Sequence, residues 1–412
     1  VSVLVRLKGF QKLTPVDEAL QIFLDALHIG KPKAVKVSLE SALHRVLAED
    51  VVAGGDLPRF DRSAVDGYAV RAEQTSGASQ FKPRNFRLVA KKGIGSGEVK
   101  QLWTGQALPE GADAVVMLEY TKEQGGKVDV WSVLTPGENV SKRGEDVREG
   151  EMAVAAGTVL RPQHLGLIAG LGVAKVSVVE KPVVGVLATG NELVSLGSGL
   201  SESGIVDTNR LVLSALCCEA GAEPLDLGIA RDDVSQISKK LKSGLSGADL
   251  VLTSGGTSVG GVDLVPEAVN RVGKPGVVVH GVAMRPGMPV ALAVVKGKPV
   301  VVLPGNPVAA MVGFEVFVRP LIARMLGIVK PEARCTVMAR MVRGVAVALG
   351  RRNFVRVRVY KRGEEFCAEP VSARGSGLLS TMTRSNGFVV VSEDREGLAK
   401  DELVLVQLFD AV

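Results

Sequence analysis

Between Pro182 and about Lys330 the chain alternates short β-prone runs with amphipathic helical runs, and this alternation constrains its fold more than any other feature. Parallel strands cannot be joined by tight turns, so the pattern predicts a parallel sheet with crossover helices on its faces. Strands are expected at 183–188, 224–228, 249–253, 277–280 and 300–303. Helices are expected at 209–220, 232–245, 264–272 and 308–326, with Pro320 kinking the last.

The flanks read differently. Thr14, Pro15 and Asp17 form a helix-start signal, after which Val16, Leu20, Leu24 and Leu27 share one face. A second start at Ser38 leads through Leu39, Ala42, Leu43, Val46 and Leu47 at near-helical period, predicting a second amphipathic helix. From Asp56 to Asp146 short β-prone runs, among them Ala114–Met117 and Lys127–Val133, are punctuated by Gly-rich turns. Residues 147–181 return to mixed character with a helix expected over 163–171, and they are expected to fold back onto the N-terminal helices. After residue 330, period-two alternation at 354–360 and strand-like runs at 387–391 and 402–409 predict a small β-barrel or sandwich. A chain of 412 residues is long enough for several domains. The expected division is 1–55 with 147–181 as a discontinuous helical and mixed domain, 56–146 as a β-rich domain, 182–330 as the α/β domain and 331–412 as a C-terminal β-barrel.

Composition excludes several function classes. No apolar run reaches the roughly 18 residues of a membrane span, because Lys175 and Glu180 interrupt the stretch from Leu165 to Val179. The first ten residues lack a signal-peptide core, and the four cysteines, Cys217, Cys218, Cys335 and Cys367, show no metal-ligand spacing. Both features predict a cytoplasmic protein. Fifty Lys and Arg against 44 Asp and Glu give a net charge of +6 without a long basic run, and 11 Phe, 3 Tyr and 2 Trp are too few for a base-stacking platform. No nucleic-acid or membrane partner is expected; small molecules fit better.

In an open α/β sheet, ligands bind at the carboxyl ends of the strands, where helix N-termini present unpaired amides. Those loops are Thr189-Gly190-Asn191-Glu192, Asp207-Thr208-Asn209, Ser254-Gly255-Gly256-Thr257-Ser258-Val259-Gly260-Gly261 ending at Asp263, and Pro304-Gly305-Asn306-Pro307. The Ser/Gly/Thr loop lets many backbone N–H groups approach an anion, although a plain strand-to-helix turn is the alternative. It is not a Walker loop, since no Gly-Lys-Ser/Thr follows. Asp207 and Asp263 alone read equally well as helix caps, and Pro307 as a first-turn proline. Taken together with Glu192, the two aspartates place three carboxylates beside an anion-binding loop. That arrangement is repulsive unless a divalent cation such as Mg²⁺ lies between. His28, His44, His164 and His280 are scattered, and no Ser/His/Asp arrangement is present.

The chain resembles the MoeA family of molybdopterin molybdenumtransferases and the related gephyrin E domain over essentially its whole length. The resemblance is carried by Leu57-Pro58, Phe60-Asp61 and Ser63-Ala64-Val65-Asp66-Gly67-Tyr68-Ala69-Val70, by Thr104-Gly105 with 108–116, and by Arg143-Gly144-Glu145-Asp146. It continues through Ala188-Thr189-Gly190-Asn191-Glu192-Leu193, Asp207-Thr208-Asn209, the loop 254–260 and Leu303-Pro304-Gly305-Asn306-Pro307. It implies an elongated homodimer of four-domain subunits, a MogA-like α/β domain, and a site to which Asp66, Thr104, Arg143 and Asp146 contribute from the partner subunit. Composition alone leaves those four as turn residues. The implied reaction places molybdate or tungstate on adenylylated molybdopterin and releases AMP, with Mg²⁺ as cofactor and a MogA/MoaB-type adenylyltransferase as upstream partner. The resemblance also implies Arg285 and Ser376 as substrate-binding residues. Departures lie at Arg285-Pro286-Gly287, where the family often has Lys, at Met288 and Gly281, which replace basic positions, and at Gln106-Ala107 in place of Ala-Pro. A gephyrin-like scaffold and an ATP-using molybdopterin adenylyltransferase are the competing readings; turnover separates the first and ATP dependence the second.

Overall fold

The computed structural model describes residues 12–198, 204–256, 264–328, 334–371 and 377–409. The chain divides into two compact units, one formed by residues 1–33 with 179–412 and the other by residues 34–178.

In the larger unit a six-stranded sheet has the order Glu223–Ala230, Val183–Thr189, Leu250–Ser254, Lys298–Leu303, Ala291–Val295, Pro275–His280. The first four strands are parallel, as the alternation predicts. The sheet is nevertheless mixed: Ala291–Val295, absent from the expected strands, runs antiparallel to both neighbours. Its run of Ala, Leu and Val is fully buried, and without alternation a buried strand leaves no period-two trace. Helices Asn209–Glu219, Val234–Gly247 and Leu264–Val272 lie close to their expected bounds. Leu187, Val251, Ile237, Leu241, Val269 and Val300 fill one face of this sheet. The last helix is interrupted by a wide π-type turn at Phe314–Val318 just before Pro320. Pro320 has no N–H to return to the carbonyl of Val316, and the widened turn absorbs the missing bond.

The N-terminal helix is Val16–Asp25, but its buried face is Val16, Ala19, Phe23 and Leu27 rather than the leucine line through Leu20 and Leu24. It packs on the edge strand 275–280 and its neighbour 291–295, within the larger unit. The C-terminal region is a closed five-stranded barrel of Thr336–Met341, Arg352–Arg362, Glu365–Pro370, Gly387–Val391 and Leu403–Leu408, filled by Val357, Ala368, Val389 and Val406.

The smaller unit carries a six-stranded sheet in the order Ala114–Met117, Gly67–Val70, Glu98–Leu102, Arg84–Leu88, Lys127–Val130, Thr121–Gln124, with Tyr68, Phe86, Val99 and Val116 inside. A second core joins Leu47, Val51, Val154, Leu160 and Ile168, the last on the helix Pro162–Gly170. The helix expected from Ser38 does not form. Only a three-residue turn at Leu39–Ser41 exists, His44 takes a left-handed φ of 61°, and Val46 and Leu47 bridge to Val159 and Val178. Pairing across the chain overrides a weak local helical period. No described helix is long and apolar enough to cross a membrane.

Candidate functional site

The parallel register sets Ala188 opposite Ser254 and Ser254 opposite Leu303, so three strands end level. Thr189 closes the first, 2% exposed, and its Oγ1 is buried with no partner among the described residues. The chain leaving Ser254 passes directly over it. Gly255, at φ +97°, would place a Cβ 2.3 Å from the Thr189 carbonyl oxygen, and Gly256, at φ +66°, would place one 2.9 Å from Thr189 Oγ1. Only glycine fits at either position. Gly255 N–H donates to the Leu303 carbonyl at 3.1 Å. The buried Asn209 donates from Nδ2 to both Ser254 Oγ and the Gly305 carbonyl, each at 2.7 Å. Thr189, Gly190, Ser254, Gly255, Gly256, Pro304, Asn306 and Pro307 therefore gather at one rim, with Pro307 opening its helix as expected. Thr257, Ser258, Asp263 and Ser376 lie outside the described residues.

Of the carboxylates expected at this rim, Glu192 and Asp207 do not behave alike. Glu192 is exposed, and its carboxylate folds back over Gly190, 2.7 Å from where a Cβ would stand. The Asp207 side chain is 1% exposed and both its oxygens are engaged by Arg210: Oδ1 accepts the backbone N–H at 3.1 Å and Oδ2 accepts Nε at 2.9 Å. Arg210 Nη1 in turn donates to both oxygens of Asp226, at 2.7 and 2.9 Å. Asp207 thus anchors a helix start and its arginine, the capping role that the sequence left open beside the metal-ligand one. Asn191 and Asp232 exchange hydrogen bonds, each at 3.2 Å, which sets Asp232 beside the turn that carries Glu192. In the sequence Asp232 looked like part of a helix start, a role that belongs to Asp233, whose Oδ1 accepts Gln236 N–H. Among the described residues no three His, Cys, Asp or Glu side chains converge on a point.

Next to Pro304 and Asn306 opens a cavity of about 580 Å³ between the sheet and the barrel. Arg285, Arg351 and Arg356 line it, and none of its described lining residues is acidic. Met284–Arg285 run parallel to Arg352–Asn353 of the barrel, and Asn353 Nδ2 holds the Arg351 and Ala348 carbonyls at 2.6 and 2.9 Å. Burial pulls the Arg356 guanidinium below its ordinary value. Arg351 and Arg356 were not singled out in the sequence, since Phe354 to Tyr360 reads there only as an alternating strand.

In the smaller unit the sequence candidates pair locally. Asp66 Oδ1 accepts both the backbone N–H and the hydroxyl of Thr104 at 2.7 Å, and these bonds hold its carboxyl below the ordinary 3.8. Arg143 N–H donates to Asp61 Oδ1 at 2.8 Å, while its guanidinium pairs with Asp56. Asp56 is held low first by the Glu149 N–H and then by Arg143; Asp61 is held low first by the Arg143 N–H. Asp146 is exposed, its N–H on the Leu57 carbonyl at 3.1 Å. Asp56 was not among the site candidates, and Asp61 appeared only inside a motif.

Comparison with known proteins agrees with this geometry along the chain. Residues 14–172 match the family model for the MoeA N-terminal region (domain I and II), 185–324 the "probable molybdopterin binding domain" and 338–409 the MoeA C-terminal region (domain IV). A Methanocaldococcus jannaschii protein assigned to molybdopterin biosynthesis is 36% identical over 98% of this chain and 100% of its own. The molybdopterin molybdenumtransferase of Bacillus subtilis is 35% identical over 96% of this chain and 94% of its own. A crystal structure of the Pyrococcus horikoshii molybdopterin biosynthesis MoeA protein superposes with a TM-score of 0.81 at 34% identity, covering 97% of this chain and 100% of that one. With relatives this similar over nearly their full length, the chain belongs to the MoeA family of molybdopterin molybdenumtransferases.

Proposed function

We propose that this chain inserts molybdate, or tungstate in its place, into adenylylated molybdopterin with release of AMP. The observation that carries the reading is the adjacency of two anion sites of different kinds: a glycine-built cradle at Thr189 and Ser254–Gly256, and an arginine-lined cavity that begins at Pro304 and Asn306. Backbone and hydroxyl donors at the cradle suit a phosphate, whose oxygens accept from several N–H groups at once. The arginines that line the cavity suit a tetrahedral dianion, which guanidinium forks grip through two oxygens.

Glu192 and Asp232 are the described rim carboxylates that would hold Mg²⁺. When bound, the ion would offset phosphate charge and ease departure of the AMP phosphate. Asn209 keeps the Ser254 and Gly305 loops together, so the cradle is organised before substrate arrives. Asp66, kept anionic by Thr104, would orient substrate donors or accept a proton.

The test is nucleotide chromatography of the reaction with each component omitted. AMP should appear only with adenylylated molybdopterin, molybdate and Mg²⁺ all present; undiminished release in chelator removes the metal role, and ATP dependence makes the chain an adenylyltransferase. Homodimer formation and hand-over from a MogA/MoaB-type adenylyltransferase belong to the same proposal. Sedimentation tests the first. Recovered AMP release on mixing inactive Asp66→Ala and Glu192→Gln proteins tests whether one site draws on two subunits.

A further inference from the structure

The Arg285 edge of the cavity is held by residues remote from it in sequence. Gly281–Val290 connects the edge strand 275–280 to its neighbour 291–295, and a connector of that length is free to move unless it is tied down. Here it is tied on both sides. Thr14 donates its N–H to the Gly281 carbonyl at 3.0 Å and accepts from Ala283 N–H at 2.8 Å, lying as a one-residue parallel strand beside Val282. On the other side Arg352 N–H donates to the Ala283 carbonyl at 2.8 Å, and the pairing continues to Arg285.

The two ties are themselves joined. Three residues after Thr14, in the first turn of the helix Val16–Asp25, Asp17 takes the Arg352 guanidinium in a two-pronged pair at 2.8 and 2.7 Å. Arg352 Nε reaches Glu393 at 3.1 Å. An exposed ion pair alone contributes little, but a fork-to-fork pair fixes direction as well as distance. This one closes a ring running Thr14, Val282–Ala283, Arg352, Asp17 and back to Thr14.

We infer that Thr14–Asp17 is a strap on the connector that carries the Arg285 edge of the oxyanion cavity, and that Asp17 and Arg352 are positioning residues that set that edge for its ligand. The inference rests on the cavity being the oxyanion site. Neither residue lines the cavity, so their effect reaches the ligand through backbone, by Ala283–Arg285 on one side and by Arg351 and Asn353, the lining neighbours of Arg352, on the other.

The experiment measures molybdate and AMP affinities by calorimetry, with melting temperature, for the wild type and for Arg285→Ala, Asp17→Asn, Asp17→Glu and Arg352→Lys. Asp17→Asn and Arg352→Lys should weaken molybdate binding about three- to tenfold, within the range of coupling through packed networks, and leave AMP affinity unchanged. Asp17→Glu, which can still reach the fork, should recover most of the molybdate affinity. Unchanged molybdate affinity in Asp17→Asn overturns the strap. Parallel loss of AMP and molybdate affinity with melting temperature also overturns it, because that pattern belongs to general destabilisation. Molybdate binding that ignores Arg285→Ala overturns the cavity reading itself, an outcome visible without any strap variant.

Discussion

The cradle in the larger unit and the Asp66–Arg143 loops in the smaller one reach the same end, fixed polar groups, by opposite means. At the cradle position comes from strand register and from the absence of side chains: Gly255 and Gly256 let the backbone cross Thr189 at distances no Cβ would tolerate. In the smaller unit position comes from carboxylates that accept backbone N–H groups, as Asp66 does from Thr104 and Asp61 from Arg143. The first design is intolerant of added volume and indifferent to pH. The second is tolerant of volume and sensitive to protonation.

The hardest test of that contrast is Gly255→Ala. The positive φ and the close approach to the Thr189 carbonyl should cost about 1–3 kcal/mol of stability, and the displaced loop should lower AMP release about a hundredfold. Melting and turnover measured together check it; near-normal turnover would mean that the cradle is not rigid.

Asp66→Asn should lower AMP release by about a hundredfold at neutral pH while leaving the melting temperature almost unchanged. Because Thr104 holds the Asp66 carboxyl below 3.8, the anion survives to lower pH than usual, and activity that depends on it fails only below that value. Thr104→Val removes one of the two bonds, so the acid limb of the pH–rate profile should move upward.

Asp207→Asn and Glu192→Gln sharpen the comparison within the larger unit. Loss of the Asp207 charge beside Arg210 should lower stability by about 1–3 kcal/mol and leave turnover largely intact below the melting transition. Glu192→Gln should do the reverse. Equal loss of turnover in both, measured as AMP released per minute at 20–25 °C below either transition, would return Asp207 to the metal site.

The smallest effect is expected at Glu98, a buried carboxylate pulled down to about 2, first by Lys91 and then by the Gly95 N–H and Arg87. Its stabilisation is complete above its ordinary 4.5 and is lost as pH falls from there toward 2. Glu98→Gln should flatten the fall in melting temperature across that window.

Much of the larger unit was legible because alternation of strand and helix survives in hydrophobic period, and the loops that bear Thr189, Ser254 and Asn306 follow from where strands end. What escaped was set by long-range pairing. The uniformly buried strand Ala291–Val295 has no period to read, and the helical spacing after Ser38 yielded to bridges with Val159 and Val178. Asp207 and Asp232 show the same limit in chemistry. Both are aspartates next to a helix start, and only the neighbour each one finds, Arg210 or the Asn191 turn, separates an anchor from a rim carboxylate. The Asp66 loop was informative only through family resemblance, since turn residues and site residues have the same composition there.

One reversed strand in an otherwise parallel sheet has a consequence for traffic. Strand 275–280 ends at the same edge as Thr189, Ser254 and Leu303, and because 291–295 returns beside it, the connector between them unloads Arg285 onto that edge instead of carrying the chain away through a helix. A guest held by Arg285 and a guest held by the cradle would share Pro304 and Asn306 as a common doorstep. Their meeting is then a short step between adjoining rooms, and the distance it must cover was decided by the direction of five buried residues.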